Sequence, residues 1–288
     1  ILSTLSKLVE RLRLWRIMKP KVKSPLLPEV FKIKKLLRSL NLHTVCEEAS
    51  CPNIGDCFSR KTATFMIMGD VCTRNCPYCN VNHGKPLPLD PNEPENIAKA
   101  VKMLGLKHVV ITSVDRDDLL DGGASHFAKV VEKVRQSNPN TTIEVLIPDF
   151  KGNLESLKIV VDSKPDVINH NIETVKDLYK KVRPQGNYER SLKIIKSVKD
   201  LDSSIITKSG FMLGLGETKH QVIELLQDLK KHDCDVITIG QYLQPSKNHL
   251  PVEKYYTEEE FKEFEEIGYQ MGFKQVFSGI LVRSSFHA

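Results

Sequence analysis

Six of the chain's seven cysteines fall into two triplets: Cys46, Cys51 and Cys57, then Cys72, Cys76 and Cys79. Thiols at this density can form disulfides, hold zinc or ligate an iron–sulfur cluster, and their spacing discriminates among the three. A chain of this length, with an α/β pattern and no visible secretory segment, has no need of disulfide staples. Cys76 and Cys79 form a Cys-x-x-Cys pair, but no second such pair or His pair stands at the distance that would complete a tetrahedral zinc site. The Cys72-Thr-Arg-Asn-Cys76-Pro-Tyr-Cys79 loop instead offers three thiolates to a cubane cluster and leaves its fourth iron open to a substrate. Cys234 stands apart and reads as a small buried residue.

Cys-x-x-x-Cys-x-x-Cys directly after a first barrel strand resembles the signature of radical S-adenosylmethionine (SAM) enzymes. The resemblance implies that the open iron chelates the methionine amino and carboxylate groups, and that one electron from the reduced cluster releases a 5′-deoxyadenosyl radical. Tyr78 would then lie near the adenine, or simply pack the loop. The upstream Cys46-x4-Cys51-x5-Cys57 triplet resembles the auxiliary-cluster motif of the lipoyl synthase family. So does the terminal Arg283-Ser284-Ser285-Phe286-His287-Ala288, with Phe where Tyr is commonplace. By position Ser285 would ligate the auxiliary cluster. A serine oxygen is a hard ligand for iron that usually prefers thiolates, so it should leave more easily than a cysteine.

Other segments resemble the same family in order: Glu47-Glu-Ala-Ser-Cys-Pro-Asn-Ile-Gly55, Thr112-Ser-Val-Asp-Arg-Asp-Asp118, Asn169-His-Asn-Ile-Glu173, Arg183-Pro184, Met212-Leu-Gly-Leu-Gly-Glu217 and Gly240-Gln-Tyr-Leu-Gln-Pro245. Within them Asn171, Glu173 and Arg183 are candidates for holding the SAM ribose and carboxylate, since polar acceptors suit hydroxyls and a guanidinium suits a carboxylate. Ordinary loop hydrogen bonding is the alternative. Gly214 and Gly216 would let backbone approach the adenosyl group, or serve only a tight turn. His249 reads as structural.

The resemblance implies insertion of two sulfur atoms into C6 and C8 of an octanoyl chain on a carrier-domain lysine, giving the lipoyl group. Two 4Fe–4S clusters and SAM are the expected cofactors, with the auxiliary cluster as sulfur donor. The implied partners are octanoylated lipoyl carrier domains, of a 2-oxoacid dehydrogenase E2 component or the glycine cleavage H protein, and an electron donor such as ferredoxin or flavodoxin. Neither nucleic acid nor membrane is expected to bind, and the working unit is read as a monomer.

Hydrophobic periodicity supplies the elements that position these groups. After a Pro-rich entry through Pro28, the stripe of Phe31, Ile33, Leu36, Leu37 and Leu40 predicts a helix over Val30–Leu40. Thr64–Met68 reads as a buried strand, followed by the cysteine loop. Helices at Pro94–Gly105, Ser125–Gln136, Leu154–Val161, Glu189–Asp200, Lys219–His232 and Glu258–Met271 then alternate with strands at Lys107–Ser113, Thr142–Ile147, Asp166–Asn169, Ser204–Met212 and Asp235–Tyr242. A short strand and tail, Gln275–Ala288, end the chain. Six βα units at most predict a parallel sheet, as a partial, open (βα)6 TIM-like barrel with its site on the loops after the strands. A doubly wound sheet is the rival. The expected division is residues 1–62 as a basic extension with the auxiliary cysteines, 63–257 as the barrel, and 258–288 as a C-terminal helix and tail carrying Ser285.

With 40% hydrophobic and 27% charged residues, the composition is that of soluble globular proteins. No apolar run approaches the roughly 18–20 residues that span a bilayer. The positive charge behind the net +6 is concentrated before residue 39, in Arg11, Arg13, Arg16, Lys19 and their neighbours, against only Glu10 and Glu29. Such an arm would steer an acidic carrier, form a solvated helix, or belong to an organellar transit peptide. A cytoplasmic location is expected, with mitochondrion or plastid as alternatives. Two rival functions remain at this point. A methylthiotransferase acting on nucleic acid would use the charge, but no appended RNA-binding module accompanies it. An iron–sulfur electron carrier or scaffold would not cleave SAM.

Overall fold

The computed structural model describes residues 22–60 and 64–285. The basic residues Arg11, Arg13, Arg16 and Lys19 and the final residues 286–288 lie outside them. In chain order the strands are β1 (His43–Thr44), β2 (Thr64–Ile67), β3 (Val71–Cys72), β4 (Asn82–His83), β5 (His108–Ser113), β6 (Thr142–Leu146), β7 (Val167–Asn169), β8 (Ile206–Leu213), β9 (Val236–Gln241) and β10 (Gln275–Gly279). The helices are α1 (Pro28–Ser39), α2 (Val45–Glu48), α3 (Ile54–Ser59), α4 (Glu93–Leu104), α5 (Ala124–Ser137), α6 (Leu154–Asp162), α7 (Tyr179–Val182), α8 (Tyr188–Leu201), α9 (Lys219–Lys231) and α10 (Glu258–Gln270).

The main sheet runs β1-β2-β5-β6-β7-β8-β9-β10. β1 is antiparallel to β2, and every later neighbour is parallel. Parallel strands in unbroken chain order, joined by right-handed crossovers, leave all their helices on one face. The sheet therefore curls about its other face. A doubly wound sheet would reverse its order at a switch point, and none occurs, so the open barrel is correct. Beyond the six strands of the expected βα units, the short strand expected from Gln275 joins the same sheet as β10, pairing in parallel with β9 from Gln275 to Gly279.

The outward strand faces bury Val109, Ile111, Ile143 and Val145 against Ile97 and Val101 of α4 and Phe127 and Val131 of α5, all fully enclosed. Each such side chain contributes roughly 1.5–3 kcal/mol over exposure. Thr218 and Thr257 start α9 and α10 with reciprocal caps to Gln221 and Glu260. Inside the barrel, toward the amino ends of the strands, the Lys208 ammonium donates to both Glu144 oxygens at 2.9 and 3.1 Å, and Asn169 adds a third donor at 3.2 Å. Burial alone would raise the Glu144 carboxyl, but His108 and Lys208 hold it below its ordinary value. This buried pair floors the barrel, and the site lies at the other end.

Both extensions attach there. β1 pairs with β2, setting His43 opposite Met66, and α1 packs on α3. After β10 the chain enters the barrel mouth, where Gly240 and Gly210 give it room: a Cβ at Gly240 would collide with the Val282 carbonyl, and one at Gly210 would stand 3.0 Å from the Ser284 hydroxyl.

Candidate functional site

The cysteine loop leaves β2 through a left-handed turn at Met68 and Gly69 (φ 70° and 91°). The Met68 N–H donates to Glu93 at 2.9 Å, and His126 braces the same carboxylate at 2.6 Å. Beyond the turn, every residue between Cys72 and Cys76 is tied down. Thr73 bonds the Asp115 carbonyl through its N–H at 3.0 Å and its hydroxyl at 2.8 Å. The buried Arg74 guanidinium grips Asp117 at 2.8 and 2.9 Å and Asp149 at 2.7 Å. The Asn75 N–H donates to Gln185 at 2.7 Å. Two backbone donors, Arg74 at 3.4 Å and Asp115 at 3.3 Å, point at the Cys72 sulfur. His249 reaches the Cys79 carbonyl at 3.0 Å, which gives it the structural role expected.

Opposite this loop stand the candidates for SAM contact. Glu173 has φ 70°, a strained setting for a non-glycine residue, and is held between the Gly210 carbonyl and the Met212 N–H at 3.0 and 2.9 Å. Burial raises its carboxyl, while Arg183, Tyr78 and Asn171 pull the other way. Arg183 donates to the Asn171 carbonyl at 3.0 Å and lies 3.4 Å from the Tyr179 hydroxyl. That hydroxyl continues through Ser191 to His170, at 2.7 and 2.9 Å. Tyr78, Asn171, Glu173 and Arg183 thus line one cavity with Cys72, Cys76 and Cys79. Gly214 and Gly216 line neither this cavity nor the next. They sit at φ 106° and 114° in the turn after β8, where Gly214 packs against the Gln241 amide and the Lys254 carbonyl. The geometry shows the turn these glycines form.

A larger cavity of about 510 Å³ adjoins the first and shares Tyr78, Cys79, Asn171 and Glu173 with it. Its wall carries Cys46 from α2, Cys51 from the following turn, Cys57 from α3, and Ser285 from the tail. The Thr64 hydroxyl donates to Ser285 at 2.8 Å, and the Asn53 amide clasps the Leu281 carbonyl at 2.8 Å, joining the two extensions. Met66, Leu146 and Met212 add apolar surface to the same lining, which single-sequence periodicity does not reveal. Arg283 also lines this cavity. Its only advance signal was membership of the terminal motif.

The donor set suits two clusters. All these cysteines are free thiols. Burial is the first cause that pushes Cys46 and Cys76 up to about 12 and Cys57 and Cys79 up to about 11, with nearby thiolates adding to it; Cys72 is also raised, again first by burial. Thiols so placed surrender their protons only to a strong cation, as metal ligation requires.

Among known proteins, residues 66–229 match the radical SAM superfamily, and residues 4–51 match the N-terminal domain of lipoyl synthase of the radical SAM family. The chain is 58% identical to the lipoyl synthase of Caldanaerobacter subterraneus subsp. tengcongensis, over 89% of this chain and 90% of that protein. It is 57% identical to the lipoyl synthase of Laribacter hongkongensis, over 93% of this chain and 85% of that protein. The fold resembles methylornithine synthase, with TM-score 0.56 and 15% identity over 75% of this chain and 70% of that one. It also resembles Streptococcus suis SuiB bound to S-adenosylmethionine, with TM-score 0.56 and 13% identity over 96% of this chain and 61% of that one.

Proposed function

The chain belongs to the lipoyl synthase family of the radical SAM superfamily, and from that premise we propose which of its residues perform each part of the reaction. It is a sulfurtransferase that inserts two sulfur atoms, at C6 and C8, into a protein-bound octanoyl-lysine to give the lipoyl group. When bound, a reduced 4Fe–4S cluster supplies the electron that cleaves SAM to a 5′-deoxyadenosyl radical, and the auxiliary cluster supplies sulfur.

Cys72, Cys76 and Cys79 hold the first cluster; Cys46, Cys51, Cys57 and Ser285 hold the second. The observation that supports this assignment is the pair of adjoining cavities, one lined by Cys72, Cys76 and Cys79 and the other by Cys46, Cys51, Cys57 and Ser285, with Met66 and Leu146 lining both. An aliphatic C–H has no acidity for a general base to exploit, so the chain's task is to position the octanoyl chain and exclude water. The apolar lining suits an alkyl chain, and the tail at Val282–Ser285 narrows the mouth. Arg183, fixed by Asn171 and Tyr179, suits the SAM carboxylate, while Asn171 and Glu173 suit its hydroxyls and Tyr78 its adenine.

The substrate is an octanoylated carrier protein. The E2 component of a 2-oxoacid dehydrogenase or the glycine cleavage H protein fits that class, with ferredoxin or flavodoxin as electron donor to a monomer. The free thiols suit a reducing compartment such as the cytoplasm. Among the described residues no helix is long and apolar enough to cross a membrane.

The test is anaerobic incubation of the reconstituted chain with dithionite, SAM and an octanoyl-lysyl peptide, with products read by mass spectrometry. Deoxyadenosine together with a peptide that has gained two sulfurs is the expected result. Deoxyadenosine without sulfur gain would overturn the substrate, and neither product would overturn the cluster assignments.

A further inference from the structure

Apart from its cysteines, the larger cavity is lined by two charged side chains among the described residues, Glu173 and Arg283. Glu173 has a cationic neighbour in Arg183. Arg283 has no carboxylate partner among the described residues: its Nη1 donates to the Val282 and Ile280 carbonyls, at 2.6 and 3.5 Å. Burial pulls its guanidinium below the ordinary value, and the nearby Cys51, as a thiolate, opposes that shift. Gly240 leaves space for the guanidinium, since a Cβ there would stand 3.2 Å from Nη1. An unmatched cation therefore stands on the same wall as three thiols and a serine hydroxyl.

The opposite imbalance belongs to what that wall would hold. Three thiolates and an alkoxide outweigh the positive charge of a cubane core, so a cluster bound there is a net anion. Removed from water, such an anion needs a counter-charge or N–H donors to its sulfurs, and those donors tune its potential. We propose that Arg283 is the counter-charge of the auxiliary cluster, its guanidinium donating N–H to the sulfur face beside Cys51. This rests on the reading of Cys46, Cys51, Cys57 and Ser285 as the ligands of that cluster. Arginine suits the task because it keeps its charge in a part-buried site and presents several donors from one rigid fork. Because Arg283 stands two residues before Ser285, one segment brings both a ligand and the compensating charge. Withdrawal of that segment removes both together.

The test uses a chain in which Cys72, Cys76 and Cys79 are all alanine, so that bound iron reports the auxiliary site alone. Arg283→Gln and Arg283→Lys are made in it, and anaerobically reconstituted samples are compared for iron, sulfide and midpoint potential. About four irons are expected in the parent chain. Arg283→Gln should shift the midpoint to more negative values, because reduction adds an electron to an anion that has lost its counter-charge, and Arg283→Lys should restore most of the shift. If Arg283→Gln loads less iron, recovery by Arg283→Lys supports the same charge role. Identical midpoints and iron in all three chains, or equal impairment by Gln and Lys, would overturn the proposal. No iron in the parent chain would instead overturn the ligand reading on which it stands.

Discussion

The two cysteine triplets are held by different means. Cys72, Cys76 and Cys79 lie on one short loop whose spacer residues reach the exits of three strands: Thr73 and Arg74 bind the segment after β5, Arg74 also binds Asp149 after β6, and Asn75 binds Gln185 beyond β7. Cys46, Cys51 and Cys57 sit outside the barrel, and Ser285, the oxygen ligand proposed to join them, comes from 221 residues beyond Thr64, to which it is hydrogen-bonded. The first site is part of the barrel, while the second is clasped between the chain's two extensions. A centre that must return unchanged after each electron transfer gains from the rigid setting. One that gives up sulfur and is rebuilt needs walls that can part.

The largest effects should follow that division. Cys76→Ala is expected to abolish deoxyadenosine formation and to leave about four irons per chain rather than about eight. Cys51→Ala should lose a similar amount of iron yet still form deoxyadenosine on reduction, with no sulfur reaching the peptide. Iron assays and mass spectrometry on the two variants decide the point. Loss of deoxyadenosine in both would mean that the sites are not separable.

A second prediction asks what the barrel wall's rigidity rests on. His170 faces the Ile147 carbonyl and the Ser191 hydroxyl, both at 2.9 Å, behind Arg183. Burial, and then the Arg183 charge, pull it down to about 4. An unfolded histidine titrates near 6.5. Between those values the unfolded chain takes up a proton that the folded chain refuses. Stability is therefore complete above pH of about 6.5 and falls as pH drops toward 4, by about 3 kcal/mol. Urea unfolding of the cluster-free chain across this range should show the slope, and His170→Gln should flatten it. An unchanged slope in that variant would assign the acid sensitivity elsewhere.

The sequence revealed the barrel elements more readily than their convergence. Ile97, Val101, Phe127 and Val131 have helical spacing because they face one apolar layer, and the strands carry apolar residues such as Val109, Ile111, Ile143 and Val145 on the face those helices cover. By contrast, α2 and α3 are too short to show a period, although they carry Cys46 and Cys57. The strand β10 could be seen as a strand, but its parallel pairing with β9 depends on the preceding helix returning the chain along the barrel. The cysteine motifs and the terminal motif with Ser285 were legible through their resemblance to a known family's, and the structure brings their residues to the walls of two adjoining cavities. Arg74's grip on Asp117 and Asp149 was not, because the latter pair stand 43 and 75 residues away along the chain. For Gly214 and Gly216 the turn was legible, but the packing of Lys254 and Gln241 against Gly214 was not, because those residues lie far along the chain.

The smallest effect expected is also the closest test of the clasp. Asn53 is 3% exposed, and its amide spans the two extensions to reach Leu281. Asn53→Ala removes one net hydrogen bond, about 1 kcal/mol or about fivefold in an equilibrium. Nothing in the Cys72–Cys79 loop bonds to this amide, so the two iron pools should respond differently. In a chelator time course on the reconstituted chain, the auxiliary pool should escape about fivefold faster. The pool held by Cys72, Cys76 and Cys79 should keep its rate. Because barrel and clasp share the Thr64 strand, that selectivity is not guaranteed by distance alone. Equal acceleration of both pools would show that strain at the clasp is transmitted through β2 into the barrel, making the two sites one mechanical unit.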